Sequence, residues 1–526
     1  PRLPDKQSPN RCRPASTMSR NVAVADGGSA LLTQEDRSTV LKEFVAITKL
    51  AIPMFIAMVS WVALKVTDTA VLGHIGKSPP LGNEGTLYLD ATALSDLWTS
   101  STGVFIQSRV VGTFCGQAFG AGNKELVGIW LQVAYVVLGC VMVPVAICWC
   151  LTAPVLHGLH KTPQEVSDAS YYALVLAICL PVRIGFSQLN SFFSAQKIMR
   201  PAVVCSTSGM LLNLVGNLIL VLGIAIPNWS GLGFPACPWV TTFVEFVQLF
   251  ILWFIYCHIL GLHKECWPGW SWDHITRDRV VQFWKMYFPA ALSIGSDFWR
   301  VAVIGAIASS IGPSDLAVFN ASYRICWMAL TFLGALAGGV GVQLNVALGK
   351  GSTSDAKRAA MVGTAMAVVV LAVLAILILF IPRSLARIFS NDPAVLDKFE
   401  ACRFPFAAFV VLMNLSVNIE KIPMAAGRVN SVFYAGLAGS WLGQVPGVIL
   451  CTTLWRKDLY GLYTGVAAGY GLLVLLYAGI VLFLDWDKVV EEAQRRSETT
   501  TKPDNTVSLQ PTNVHNEIEN EETDAA

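Results

Sequence analysis

Long apolar runs separated by short polar breaks dominate the chain from about residue 43 to residue 484. A helix that crosses a bilayer needs roughly 20 apolar residues, because a rise of about 1.5 Å per residue has to cover about 30 Å of hydrocarbon. Twelve runs meet that length. They lie near residues 44–74, 91–116, 125–153, 169–194, 202–226 and 237–261 in the first half, and near 281–311, 315–347, 359–381, 401–425, 430–454 and 461–484 in the second. The runs are continuous and rich in Leu, Ala and Val, without the alternation over about ten residues that a membrane β-strand shows. The pattern predicts an all-α integral membrane protein.

The flanks read differently. Residues 1–42 are polar, with Arg11, Arg13, Pro14, Ser16 and Thr17, and lack the short apolar core of a signal peptide. They are expected to form a disordered cytoplasmic tail; the chain opens on Pro1, and Met18 stands as a candidate start. From 485 to 526 the chain turns polar and then acidic in NEIENEETD, which is too poor in apolar area to fold alone, so a second disordered tail is expected. An even number of spans puts both termini on one side. That side also collects Lys124, Lys197 with Arg200, Lys264 through Lys285, Lys350 with Lys357 and Arg358, and Arg428, which favours cytoplasmic termini against Arg383, Arg387, Arg456 and Lys457 opposite. Asn228, Trp229 and Ser230 form a glycosylation sequon in an outer loop.

Composition sharpens the class. A chain of 526 residues that is 54% hydrophobic and 14% charged, with a mean hydropathy of +0.55, holds more apolar side chain than one water-soluble core encloses; the excess has to face lipid. The net charge of +2 comes from 37 basic and 35 acidic residues concentrated in the tails and breaks, so nothing points to nucleic acid. Of the thirteen cysteines, Cys140, Cys148, Cys150, Cys179 and Cys451 are scattered through apolar runs without metal-ligand spacing and read as small hydrophobes. There is no nucleotide-binding loop, no zinc spacing and no nucleophile beside a base. The expectation is a protein that is not an enzyme, with no catalytic residue, metal or cofactor, whose partners are the bilayer and a small organic substrate, acting as a monomer.

The longest polar break between spans, about His263 to Arg279, divides the helices six and six. QAFGAGNKE after the second span is echoed by VALGKGSTSD after the eighth, placing Gly349 and Gly351 at an offset of 229 from Gly120 and Gly122; SAQKIMR and AAGRVNS, at the ends of the fourth and tenth, are offset by 231. VLGHIG and IASSIG, at the first and seventh, are offset by 236. Nearly constant offsets argue for duplication. Two six-helix bundles of the same orientation are expected, a first lobe over 43–262 and a second over 281–484, joined by a linker over 263–280 and related by a pseudo-twofold axis along the membrane normal. Lobes of this kind enclose a site between them and rock to alternate access.

The stretches VTDTAVLGHIG, GTFCGQAFGAGN, NSFFSAQKIMRP and NLVGN, with their partners in the second half, resemble the multidrug and toxic compound extrusion (MATE) family over about residues 43–484. The resemblance implies twelve helices in two bundles around a central cavity, and export of organic, often cationic, compounds driven by inward flow of protons or sodium.

An ionisable side chain at bilayer depth costs at least about 2.5 to 3.5 kcal/mol on insertion scales, so each is a functional candidate. The acids are Asp68, Asp297, Glu245 and Glu420, with Asp96 nearer an end; the bases are Lys65, Arg109, Arg183, Arg300 and Arg324. Lys65 with Asp68, and Asp297 with Arg300, stand at i and i+3, where side chains can touch on one helix face. Two readings are open: pairs that only satisfy each other, or carboxylates that bind and release a proton, since burial raises a carboxyl pKa and a neighbouring cation lowers it. The resemblance favours the second, because Asp68 matches a first-helix coupling aspartate of archaeal and related bacterial members and Asp297 a seventh-helix acid of other bacterial and eukaryotic ones.

There are departures from the family pattern. The tenth-helix acid falls at Met413, with Glu420 two turns along the same helix, either replacing it or sitting near the cytoplasmic end beside Lys421. The fifth-helix aspartate is Asn217, which with Asn213 forms a polar pair that cannot titrate. Glu245, three residues before Gln248, reads as a structural hydrogen-bonding group or a substrate contact. Protons are expected as the coupling ion ahead of sodium, because the acids are too few for a cage of oxygen ligands. Asp297 is expected ahead of Asp68, because Arg324 and Glu420 could exchange partners with it. The rival reading is a flippase for a lipid-linked head group, which calls for a strongly basic cavity.

Overall fold

The computed structural model describes residues 34–75, 84–107, 109–158, 162–224, 226–227, 229–387 and 393–498. Every regular element among them is helical. The first half contains α1 (Gln34–Leu72), α2 (Glu84–Gly103), α3 (Val111–Gly120), α4 (Lys124–Cys150), α5 (Thr152–Gly158), α6 (Pro163–Ala177), α7 (Leu180–Ala195), α8 (Arg200–Gly216) and α9 (Ala236–Ile251). The second contains α10 (Arg277–Ile311), α11 (Pro313–Gly349), α12 (Thr353–Phe380), α13 (Pro382–Arg387), α14 (Pro393–Ala401), α15 (Arg403–Ala425), α16 (Val429–Leu437), α17 (Val445–Leu450) and α18 (Leu459–Leu482), followed by α19 (Trp486–Glu498).

Ten helices among the described residues are long and apolar enough to cross a membrane, and α6 with α7, bent by 50°, make an eleventh. The expected second span is present but polar and broken: α2 carries Asp90 and Asp96, and a 3-10 turn at Val104–Ile106 separates it from α3. With this element the chain has the twelve spans its hydropathy called for.

The duplication is visible in local chemistry. Gly122 and Gly351 both take a φ of +80°, a conformation open to glycine, and the next residue in each case caps the following helix. Asn123 accepts from the Leu126 N–H ahead of α4, and Ser352 from the Asp355 N–H ahead of α12. The helix pairings repeat as well: α1 packs on α8 as α10 packs on α16, and α3 on α4 and α7 as α11 on α12 and α15. The linker does not hang free. Gln132 of α4 donates to the Gly269 carbonyl and accepts from the Ser271 N–H, and Gly128 lies so close that a Cβ would stand 2.3 Å from the Cys266 carbonyl oxygen.

Two expectations about the tails need correction. The first helix starts at Gln34, inside the segment read as disordered, because no Pro or Gly interrupts the chain between Gln34 and Pro53 and a helix need not stop where the apolar run stops. The segment from 485 is helical over Trp486–Glu498. Alone it is too polar to fold, but Val489, Val490, Ala493 and Ser497 form one face that is buried against Leu344, Leu348, Ala356, Ile422 and Ala425. The remainder of both tails and Asn228 of the sequon lie outside the described residues.

Candidate functional site

The lobes meet in the half of the bundle nearest the termini. Ile47 of α1 packs with Leu333, Leu336 and Val340 of α11, and Phe55 meets Phe332 edge to face at 5.3 Å. Gln117 donates to the Ala425 carbonyl at 2.8 Å, and Lys197 bonds Gln343. Farther along, the facing positions are open: Trp61, Trp327 and Met328 are exposed, and Lys65 and Arg324 are partly or well exposed. The result is a cleft between the lobes, closed at the terminal face.

Asp68 does not belong to the cleft wall. Its side chain is buried inside the first lobe, 2% exposed, where Oδ1 accepts from Asn213 Nδ2 and Asn217 Nδ2 and Oδ2 accepts from the Thr241 hydroxyl, each at 2.9 Å. The i, i+4 spacing of the two asparagines aims both amides at one point, and the chain relaxes into a π-helical turn at Asn217–Val221 as it passes that point. The expected pairing of Lys65 with Asp68 is not formed. Lys65 instead approaches Asp96 of α2 at 3.7 Å, because Asp68 turns inward to α8 and α9 while Lys65 stays on the face toward the second lobe. Asp68 therefore has three neutral donors and no cation in contact.

The second lobe inverts this arrangement. Arg300 is buried, donating to Ser440 Oγ at 2.8 Å and Tyr470 Oη at 2.9 Å with its guanidinium 5.1 Å over the Tyr470 ring. Ser440 lies in a π-helical segment, Ala438–Gln444, of the span equivalent to α8. Asp297 forms the expected pair with Arg300 at 3.0 Å, but its carboxylate side is 53% exposed. One lobe thus encloses an acid among neutral donors, and the other encloses a base with its acid at the surface.

The other candidates separate from these two centres. Glu420 reaches across the lobes to Arg109 at 3.4 Å, and Met413, at the position where the resemblance expects an acid, is buried. Glu245 forms a two-pronged ion pair with Arg183, both contacts at 2.7 Å, between α9 and α7; Gln248 is not its partner and donates to the Cys205 carbonyl instead. Arg324 makes no ion pair or hydrogen bond among the described residues, so the expected exchange of partners with Asp297 is not seen. Thr241, Ser440 and Tyr470 carry no spacing signal as hydroxyls in apolar runs, and only the packing of α9, the Ala438–Gln444 segment and α18 shows what they face.

Comparison with known proteins agrees with this architecture. The MatE family model matches residues 53–219 and 289–449, one segment in each lobe. The multidrug and toxin extrusion protein 1 of Danio rerio is 25% identical over 462 residues, covering 86% of this chain and 75% of that protein. Protein DETOXIFICATION 38 of Arabidopsis thaliana is 24% identical over 468 residues, covering 86% and 87%. The crystal structure of a eukaryotic MATE transporter superposes with a TM-score of 0.77 at 20% identity, over 87% of this chain and 99% of that one. With both lobes matched by the family model and the twelve-helix fold shared, the chain belongs to the MatE family of transporters.

Proposed function

We propose that this chain is a secondary active exporter that moves organic compounds across its membrane in exchange for protons, with both termini cytoplasmic and Asp68 as the group that carries the proton. The observation that carries this reading is the enclosure of Asp68. A carboxylate removed from water with no cation in contact is stabilised by its hydrogen bonds and, at longer range, by the Lys65 ammonium, and taking up a proton relieves the remaining cost of burial. Asp297 is in a different position, since Arg300 is held in place by Ser440 and Tyr470 and favours the charged acid. This reverses the order expected from the sequence.

Closure at the terminal face and openness beyond it support an outward-open state of a rocking pair of lobes. α1 takes part both in the Asp68 cage and in the inter-lobe seal through Ile47 and Phe55, which supplies a mechanical route from protonation to lobe movement. Sodium is the competing ion, and one observation favours it: Asn213 Oδ1 and Asn217 Oδ1 are buried without partners, and with the Asp68 oxygens they could ligate a small cation.

The test is transport by the full chain in vesicles, with a fluorescent organic probe and either a pH gradient or a sodium gradient at clamped pH. Proton exchange predicts transport under the first alone, lost in Asp68→Asn. Transport that follows sodium at clamped pH overturns it.

A further inference from the structure

The cleft between the lobes carries a charge that the proton site does not use. Three acids along the membrane part have a cation at hand: Asp297 has Arg300, Glu420 has Arg109 and Asp96 has Lys65, while Asp90, nearer the start of α2, is exposed. Asp68 is closed away. Arg324 is exposed and has no acidic partner among the described residues, while the Lys65–Asp96 separation of 3.7 Å is too long for a good hydrogen bond and leaves the ammonium donors available.

The helix register places these two cations opposite each other. A Cβ on Gly338 of α11 would touch Met54 Sδ of α1 at 2.9 Å, and one on Gly334 would touch Met58 Cε at 3.4 Å, which establishes the facing stripes. At about 100° per residue, Lys65 falls within about 20° of Met54 and Met58, and Arg324 about 40° from Gly338 and about 80° from Gly334. Lys65 is seven residues beyond Met58 and Arg324 ten before Gly334, so at about 1.5 Å per residue both project from opposed walls at depths that agree to about 5 Å. Trp61, on the Lys65 stripe, and Trp327 and Met328, flanking the Arg324 stripe, are all exposed beside them.

We propose that the cleft between α1 and α11 binds an organic anion, its carboxylate, sulfate or phosphate held between Lys65 and Arg324 and its flat apolar body against Trp61, Trp327 and Met328. This rests on the exporter reading and narrows its cargo. Two like charges facing each other resist approach of the walls at the open end, and an anion between them removes that repulsion. The bidentate guanidinium suits an oxyanion, and the indoles and thioether suit an aromatic surface.

The experiment is equilibrium binding of carboxyfluorescein, an aromatic anion, and ethidium, an aromatic cation, to the purified full chain in detergent, followed by anisotropy. Wild type is expected to bind carboxyfluorescein more tightly than ethidium. Arg324→Gln and Lys65→Gln should each weaken the anion by about tenfold or more, Arg324→Lys should retain most of the affinity, and thermal midpoints should confirm folded variants. Tighter binding of ethidium in wild type, or unchanged anion binding in Arg324→Gln, overturns the proposal. Displacement of the probe by phosphatidylglycerol but not by free naphthoate assigns the pair to a lipid head group and overturns the free-substrate form. No gradient enters the measurement, so failure here leaves the proton-exchange reading standing, and failure of gradient-driven transport leaves the binding result standing.

Discussion

Gly120 and Gly349, equivalent positions in the duplicated halves, press into each other's helices where the lobes meet. A Cβ on Gly120 would stand 2.3 Å from the Val346 carbonyl oxygen, and one on Gly349 would stand 2.0 Å from that of Gln117. Both obstructing atoms are backbone, which cannot rotate out of the way. The sequence motif that revealed the repeat is thus also what lets the seal at the terminal face form.

Alanine at either glycine should force the lobes apart at this point. Gly120→Ala and Gly349→Ala are expected to cost about 1 to 3 kcal/mol in the state closed at the terminal face, as overpacking does in cores, and to shift the population toward a separated terminal face. Spin labels at Glu125→Cys and Lys357→Cys, in a background lacking the exposed Cys140 and Cys150, report this as a longer distance. An unchanged distance distribution in both variants would contradict the role given to the pair.

The Arg183–Glu245 pair lies between α7 and α9 with both side chains mostly buried and doubly bonded. Removing one partner strands the other. Arg183→Met should destabilise the protein by about 3 to 5 kcal/mol, whereas Arg183→Met with Glu245→Leu should recover much of that loss. Thermal unfolding in detergent distinguishes the two, and a double variant no more stable than the single one would mean that the pair contributes more than it costs to bury.

The two acids of the duplicated centres make opposite predictions. Asp68→Asn keeps the shape of the cage but cannot carry a proton, so pH-driven transport should fall by about tenfold or more while binding of the cargo persists. Asp297→Asn leaves Arg300 with Ser440 and Tyr470, and coupling should be retained. Normal coupling in Asp68→Asn together with its loss in Asp297→Asn would move the proton to the second lobe.

α19 bridges the lobes at the terminal face. The Ser497 carbonyl accepts from Asn123 of the first lobe at 2.9 Å, while Glu492 pairs with Arg428 at 3.1 Å and Asp487 accepts from Thr353 at 2.8 Å in the second. Burial of Val489 and Val490 contributes roughly 1.5 to 3 kcal/mol each. Ending the chain before Trp486 should lower the thermal midpoint and increase the longer Glu125→Cys to Lys357→Cys distance. A truncated protein with the same distances and the same midpoint would show that α19 does not hold the lobes.

Much of this architecture is legible in the linear pattern, because a bilayer imposes length and apolarity on every span and duplication leaves repeated glycines at fixed offsets. Asp68, Asp297, Arg300, Asn213 and Asn217 could be named as candidates because charge and amide groups are rare and costly at that depth. α19 was not legible, since its helix depends on a face that the rest of the chain provides. The second span was found by length, but its break at Val104–Ile106 was not.

What the sequence determined by itself is the class of solvent, the number and order of the spans, the twofold plan and the list of groups that have to be satisfied. Which groups satisfy each other was decided by tertiary structure, apart from Asp297 and Arg300, whose spacing predicted their pair. Lys65 and Asp68 are three residues apart and could have paired, yet Asp68 turns to Asn213, Asn217 and Thr241, between 145 and 173 residues away, and Lys65 turns to Asp96. The physical reason is that spacing along a helix limits which side chains can meet, whereas the partners a buried charge actually takes depend on which neighbouring helices bring donors within about 3 Å. That distance is set by how the helices pack.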